Sequence, residues 1–566
     1  MLMREKIGEM VLSAVAELKI SIPENLKSKI SISYPDPSHG DYASNAALIL
    51  AKEAKISPKQ LADEIIEKLD KSMFEQVESA GAGFINFKLK TQELLQPTTY
   101  NLQPKSKNKI LLEYFQPNIA KPLHVGHLRT AIIGDAIKRM LVYQGISVES
   151  DTHMGDWGTQ FGFLILAYKR FGEVNDKLYA QLNAEAEQDK SILEQAKQEF
   201  VELEQGNAEN RKIWQALVDE SMEKFLKIND LMDILPFDHH WPESFYEDKM
   251  PAVLKELKKK KILVESQGAQ IVNLSASAKS YGGSAKALRE GGEDQNLGVA
   301  IIVKSDGGTT YLLRDLATFL FAQELGYKKH LYVVDNRQAL HYRQLFAILK
   351  LIGKIQEGEG VHINYGFISF KGEALSTRKG NMVLAEDVIF QAEEKVSKLI
   401  EEKNPDLKDK ALVIKAVTKA ALKYFDLKHN RHSDIQFDWD EVLDFEGDSG
   451  PYLQYAYARL ASILRKASPP QSIRATIITS TERELLFKLS ILPEIVEDSL
   501  KDHLPNILAN YIYNLATLIN KFYHESHVLN EKDEQIRAFR LDLISKAKDT
   551  LGKGLDLLGI QALEEM

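Results

Sequence analysis

The 566-residue chain contains no cysteine. That excludes disulfides, thiolate zinc sites and a cysteine nucleophile. Nor is there a run of about 18 uncharged apolar residues, so no segment is expected to span a membrane. The N-terminus, MLMREKIGEMVLSAVAELKI, sets charges among its apolar positions and reads as an amphipathic helix, not a signal peptide. An excess of positive charge is missing too. The formal net charge of −9 argues only weakly against a nucleic-acid partner, because charge can be unevenly spread. Ala184–Glu209 holds eight acids against two lysines, whereas Lys255–Lys261 and Ser376–Asn381 are basic. A soluble protein of a reducing cytoplasm is the expectation.

What is present is too long for one core, and roughly three to four domains are expected. Residues 1–95 read as an α+β unit. There Ser57, Pro58 and Gln60 form a capping-box pattern before a helix, and GFINFKL (Gly83–Leu89) alternates like a strand. After a polar linker, residues 108–375 read as a multidomain-type α/β catalytic unit. KILLEYF is a strand, QPNIAKPL a loop, HVGHLRTAIIGDAIKRMLVYQG a helix ending at Gly145, and ISVES a strand. That order is a βαβ unit and predicts a parallel sheet. HLYVVD (His330–Asp335) and QALHYRQLFAILKLIG, closed by Gly353, repeat the theme. An acidic helical segment at about 168–230 and a strand-rich one at 259–309 interrupt it. Residues 376–447 read as a basic loop and connecting helices, and 448–566 as helices only.

His124 and His127 stand at the start of the first of these helices, in QPNIAKPLHVGHLRTAIIGD. Ligands of a parallel sheet sit past the carboxyl ends of its strands, against helix N-termini whose N–H groups favour anions. Two histidines at i and i+3 share a helical face and can donate to phosphate, while Gly126 lets a nucleotide approach the backbone. The alternatives are two helix-start histidines without a role, or a metal site, for which no further ligand is evident by spacing. His239 and His240 in FDHHWPESFY diverge on any regular element and read as structural.

PNIAKPLHVGHLRTAIIGD resembles the HIGH signature of class I aminoacyl-tRNA synthetases, in the form found in the arginyl-tRNA synthetase family. GDWGTQFG, YLLRDLA, YVVDNRQALHYRQLF, LSTRKGN and GDSGPYLQYAYARLASIL resemble further blocks of that family in its order, and SYPDPSHGDYASNAALILAK and GAGFINF its N-terminal domain. The resemblance implies a Rossmann-type parallel sheet with insertions, an α+β N-terminal domain and an all-α anticodon-binding domain. It implies ATP-dependent activation of L-arginine and transfer to tRNA(Arg), with Mg²⁺ accompanying ATP, no tightly bound cofactor and a monomer.

By the same resemblance, His124, Gly126, His127, Ser376 and Lys379 serve ATP. LSTRKGN takes the place of the KMSKS loop but lacks both signature lysines, and Lys121, Arg378 and Lys379 are expected to share the pyrophosphate contact. Glu113, Asn118, His124, Tyr311, Asp315 and Gln338 are expected to hold arginine, with Asp315 as the carboxylate for the guanidinium fork. Gln116 replaces a serine usual in the family. Phe84, Asn86, Tyr452 and Arg459 are expected at the tRNA. Two rivals are another HxGH nucleotidylyltransferase and a non-catalytic tRNA-binding relative; neither explains all the blocks together.

Overall fold

A computed structural model describes residues 2–95, 106–174, 176–275, 297–370, 383–467 and 479–566. Ser376, Arg378 and Lys379, like the glycine-rich turn at 281–292, lie outside them. Four parallel strands, β1 (Ser106–Glu113), β2 (Ile146–Asp151), β3 (Tyr327–Asp335) and β4 (Gly360–Tyr365), lie in the order β4-β3-β1-β2. Leu111, Leu112, Leu331, Val333 and Ile363 are fully buried or nearly so, as strands covered on both faces require. β3 begins earlier than its apolar run suggests, because Lys328 and Lys329 interrupt that run. The chain passes from β1 through helix α1 (Val125–Tyr143) to β2 on one side, then returns with β3 on the other. The crevice of such a sheet opens where the order switches, here past the ends of β1 and β3. Helices α2 (Tyr311–Glu324) and α3 (Ala339–Leu351) flank β3 in sequence.

The described parts of the two interrupting segments hold helices and strands. Asp176–Gln188, Lys190–Glu204 and Ala208–Leu231 are helices; Leu263–Ser266, Ala269–Asn273 and Val299–Val303 make a small antiparallel sheet. Near the N-terminus a separate four-stranded antiparallel sheet contains Phe84–Leu89. Ser57 Oγ accepts from the Gln60 N–H at 3.2 Å. The Gln60 amide donates to Glu64 instead of returning to the cap, so only one half of the capping box is made. This unit docks on the C-terminal helices: Arg483 meets Asp41 at 2.8 Å, Arg4 meets Asp498 at 2.6 Å, and Tyr34 donates to Glu494 at 2.6 Å. Helices α4 (Lys410–Lys428), α5 (Gly450–Lys466), α6 (Pro505–Glu525) and α7 (Glu534–Leu557) complete the core. Among the described residues no helix is long and apolar enough to cross a membrane.

Helix α1 is central to this arrangement. Most of its length is buried, including Arg129, Asp135 and Lys138. A buried charge is tolerated only with partners, and each of these reaches a different part of the chain. Arg129 donates to the carbonyls of Gly366 (2.7 Å) and Phe367 (3.0 Å) and lies 3.4 Å from Asp426 on α4. Asp135 accepts from Arg139 Nε and the Leu235 N–H, both at 2.9 Å, and faces Lys423 of α4. Lys423 donates to the Gly559 carbonyl at 2.7 Å. Lys138 donates to Ser150 and Asp238, each at 2.8 Å. At Gly134 a Cβ would lie 2.3 Å from the Tyr114 ring, so only glycine lets α1 approach the end of β1 this closely.

Arg129→Met should therefore strand the buried Asp426 carboxylate and two carbonyls. The expected cost is on the order of 3 kcal/mol. It is read as a lower urea midpoint of the full chain; an unchanged midpoint would show that the Arg129 contacts do not hold α1.

Candidate active site

The first turn of α1 is built by its histidines. His124 is the N-cap, with φ −105° and ψ 169°, so only His127 of the pair is helical. His124 Nδ1 accepts from the Gly126 N–H, and His127 Nδ1 accepts from the His124 N–H, both at 3.1 Å. The rings stack 3.9 Å apart. Backbone N–H groups can only donate, so both Nδ1 atoms are bare and each neutral ring carries its proton on Nε2. Burial, with His124 alongside, lowers His127 to about 3; burial and then Arg337 lower His124. The pair thus offers two uncharged Nε2–H donors at a helix N-terminus.

These donors face a cleft of about 710 Å³, lined also by Asn118, Gly126, Gln338, Arg337 and Tyr365. Asn118 pairs with Gly155, where a Cβ would lie 2.3 Å from the Asn118 Oδ1. The glycine of GDWGTQFG is thus what leaves room for this amide. Gln338 ends the 3₁₀ turn that joins β3 to α3. Just after the undescribed 371–382 segment, the backbone returns to the histidines. Val125 N–H donates to the Val383 carbonyl, Ala385 N–H donates to the Leu123 carbonyl, and His124 bridges Leu384. The segment Val383–Ala385 therefore pairs backbone to backbone with Leu123–Val125. Lys121 is exposed and lines a different cavity, of about 400 Å³, with Leu123, Phe225 and Leu384. The structure does not bring it into the histidine cleft.

Deeper in, the strand ends gather acids. Glu113 closes β1 in register with Asp151 of β2 and Tyr332 of β3. Burial pushes the Glu113 carboxyl up to about 7 and Asp151 well above its ordinary range, with Glu113 adding to that. Gln116 donates to Glu113 Oε1, and His330 Nε2 lies 3.2 Å from Oε2. Asp315, one turn into α2 after Tyr311, is 15% exposed and meets His341 Nε2 through Oδ2 and His153 Nε2 through Oδ1 at 3.5 Å. Burial opposes the charge on Asp315, yet His341 holds its pKa below the ordinary carboxylate value. Tyr311 stands four residues earlier and is half exposed.

Glu113, Asp151 and His153 are the one group among the described residues whose ligating atoms all lie within 4.8 Å of one another. Asp151 Oδ2 and His153 Nδ1 have no hydrogen-bond partner. Buried acceptors left open in an acidic pocket suit a cation that carries several N–H donors, such as a planar guanidinium. Phe115 (φ 60°), Ala120 (φ 58°) and His153 (φ 39°) lie in the left-handed region around this site. Such conformations cost about 1–3 kcal/mol each and collect at binding sites.

Sequence reading missed Asp151, His153, His330 and His341, and the family resemblance put any contact from Gln116 in doubt, whereas it bonds Glu113. Asp151 directly follows ISVES and His341 sits in the quoted QALHYRQLF block; neither spacing announces a pocket, because the sheet register and the α2–α3 approach bring them together. His239 and His240 diverge: His239 Nε2 contacts Glu149 at 2.7 Å, and His240 Nδ1 lies 3.2 Å from Thr152 Oγ1. Phe84 is 42% exposed, whereas Asn86 is 5% exposed under neighbouring strands. Asn86 therefore does not present its amide at the surface as the sequence suggested. On α5, Tyr452 accepts from Asn520 at 2.7 Å, and Arg459 donates to the same side chain at 3.0 Å. Arg459 also lies over the exposed Tyr455 ring at 4.9 Å. Tyr457 and Arg465 bind Glu564 near the C-terminus instead.

Comparison with known proteins fits this geometry. The family model described as tRNA synthetases class I (R), catalytic domain, matches residues 90–439; the arginyl tRNA synthetase N terminal domain matches 5–89 and the DALR anticodon binding domain 453–566. An arginine–tRNA ligase of Clostridium perfringens is 38% identical over 96% of this chain and 97% of its own. One from Streptococcus pyogenes is 36% identical over 97% and 99%. The arginyl-tRNA synthetase structure of Thermus thermophilus superimposes with a TM-score of 0.82 at 26% identity, covering all of both chains. With family models along nearly its whole length and relatives at this identity, the chain belongs to the arginyl-tRNA synthetase family.

Proposed function

We propose that the chain is an arginine–tRNA ligase, which activates L-arginine with ATP and transfers it to the 3′-terminal adenosine of tRNA(Arg), releasing AMP and pyrophosphate. The observation that carries this reading is the joining of two chemistries: a buried acidic pocket at the ends of β1 and β2, and a cleft where α1 begins with two neutral imidazole donors. The arginine carboxylate is itself the nucleophile. It attacks the α-phosphorus of ATP, the bond from that phosphorus to the α,β-bridging oxygen breaks, and pyrophosphate leaves; the adenosine hydroxyl then attacks the carbonyl and AMP leaves. No side-chain nucleophile is required. Catalysis rests on positioning and on donors aimed at the phosphoryl oxygens.

In this reading His124 and His127 donate Nε2–H to phosphate and adenosine, with Gly126 letting the nucleotide near the backbone. Asn118 and Gln338 hold the α-amino group, and His124 also nears the carboxylate. Asp315 and Glu113 take the guanidinium, with Tyr311 at the mouth. Ser376, Arg378 and Lys379 serve ATP from the basic segment. Lys121 joins them from outside the cleft, two residues before Leu123, whose carbonyl accepts from the Ala385 N–H. Mg²⁺ enters as part of the ATP substrate. The cleft offers it no cage of acids, because Asp335 is already engaged by Arg337.

Phe84 and the Tyr455–Arg459 face of α5, beside Tyr452, form the tRNA surface: exposed rings and a guanidinium suit unstacked bases and phosphates. Residues 1–95, 108–375, 376–447 and 448–566 then act as tRNA-binding, catalytic, connecting and anticodon-binding units of a cytoplasmic monomer.

Aminoacylation of total tRNA with each labelled amino acid tests the reading; charging by an amino acid other than arginine would sink it. Asp315→Ala should lose about 3 kcal/mol in kcat/KM for arginine, because it removes a charge-assisted pair. Near-normal arginine kinetics in that variant would reject the role. Lys121→Ala should slow adenylate formation more than it weakens arginine binding, as measured by pyrophosphate release against arginine KM. The opposite pattern would take Lys121 away from the phosphates.

A further inference from the structure

Asp315 does not stand alone in its pocket. His341 projects from α3 and contacts Oδ2 through Nε2. Oδ1 faces His153 at 3.5 Å, too long for a good hydrogen bond, so it is the oxygen left for a ligand. Carboxylates turn freely about their last bond unless something holds them. Here the contact with His341 sets the plane and decides which oxygen faces the pocket. Glu113 is held in the same manner by His330 and Gln116.

We propose that His341 is the positioning residue for Asp315: it binds Oδ2, turns Oδ1 toward the guanidinium of arginine, and gives up a proton when that cation arrives. The inference rests on the reading of Asp315 as the guanidinium carboxylate. The balance is simple. Below its raised pKa, His341 is protonated in the empty pocket and is the cation beside Asp315. When the guanidinium takes that role, the proton on Nδ1 leaves to solvent, and the neutral ring still donates Nε2–H to Oδ2. Burial pulls His341 down, but the Asp315 hydrogen bond and charge more than offset it and leave it raised.

The other groups facing this contact are Arg314 and Tyr311 on α2, Tyr342 on α3, His153 after β2, Glu113 at the end of β1, His330, Tyr332 and Asp335 on β3, His362 on β4, and Tyr246 and Glu243, the last pushed by burial up to about 8. Burial lowers His362 to about 4, so it stays neutral in this range. Burial pushes Glu113 up to about 7, inside the same range, so proton release is read as the difference between wild type and the His341 variants. The sign follows from linkage: a ligand that expels a proton binds more tightly as pH rises. Arginine affinity should therefore weaken as pH falls through the raised His341 value.

The test uses the full-length enzyme with His341→Ala, His341→Gln and Asp315→Ala. Arginine KM and kcat are measured between pH 6 and 8.5. Protons released on arginine binding are counted by calorimetry in buffers of different ionisation heat. His341→Ala should raise arginine KM about tenfold or more, the size typical of losing an orienting partner, with little change in kcat or in ATP KM. His341→Gln keeps an N–H donor and should restore most of the KM at pH 8, while releasing fewer protons than wild type.

An unchanged KM in His341→Ala, with arginine binding lost in Asp315→Ala, would overturn the proposal and leave Asp315 in place. Normal arginine kinetics in Asp315→Ala would instead remove the reading beneath it. Should His341→Ala fail to fold, His341→Gln decides: proton release equal to wild type would overturn the proposal.

Discussion

The burial of charge along α1 is the constraint on which the rest of the structure depends. A helix that starts an active site must keep its first turn fixed. This one is fixed by Arg129, Asp135 and Lys138, each of which must find partners in a low-dielectric core. The partners come from β4 and its exit, from α4, from the segment before His239, and from the carbonyl of Gly559 near the C-terminus. One helix thus registers the sheet, the connecting helices and the C-terminal bundle against each other. The capping histidines inherit that rigidity, and their orientation is set by backbone donors and not by each other's charge.

The site divides into halves with opposite electrostatic character. At the cleft, burial strips the imidazoles of charge and leaves donors. In the pocket, burial raises Glu113 and Asp151, while histidines support Asp315 and Glu113. Neutral donors suit an anion that must later leave as product, since they bind it without a full ion pair. Acids with open acceptors suit a cation that must be told apart from uncharged analogues, because an unpaired buried carboxylate penalises the wrong ligand. The left-handed backbone at Phe115, Ala120 and His153 marks the turns that bring the halves together.

Much of this was legible in the sequence, for reasons that differ by residue. His124, His127 and Gly126 announce a helix start by spacing, and the βαβ pattern places that start at the sheet crevice. Asp315 and Tyr311 lie four apart on a helix and could be paired before any fold was known. His341 and Asp151 could not, because their roles depend on which helix and which strand lie alongside. The capping box at Ser57 was half right: its Gln60 had a better partner in Glu64. Asn86 follows Phe84 at strand spacing, yet the neighbouring strands cover it; alternation gives a face and leaves the depth of cover to tertiary packing. Lys121 is exposed as a loop lysine should be, and its direction is fixed by the strained Ala120 before it, which no propensity reveals.

The docking of the N-terminal unit on the C-terminal helices has a consequence for how the chain is made. Asp41 and its partner Arg483 are 442 residues apart in sequence. At roughly 5–20 residues per second, on the order of 20–90 s of synthesis separates them. For most of that interval the first unit is complete while its dock does not exist. Until the dock is made, Tyr34 and Tyr42 lack the Glu494 carboxylate to which both bond in the finished protein. A unit made early is thus closed by helices made late.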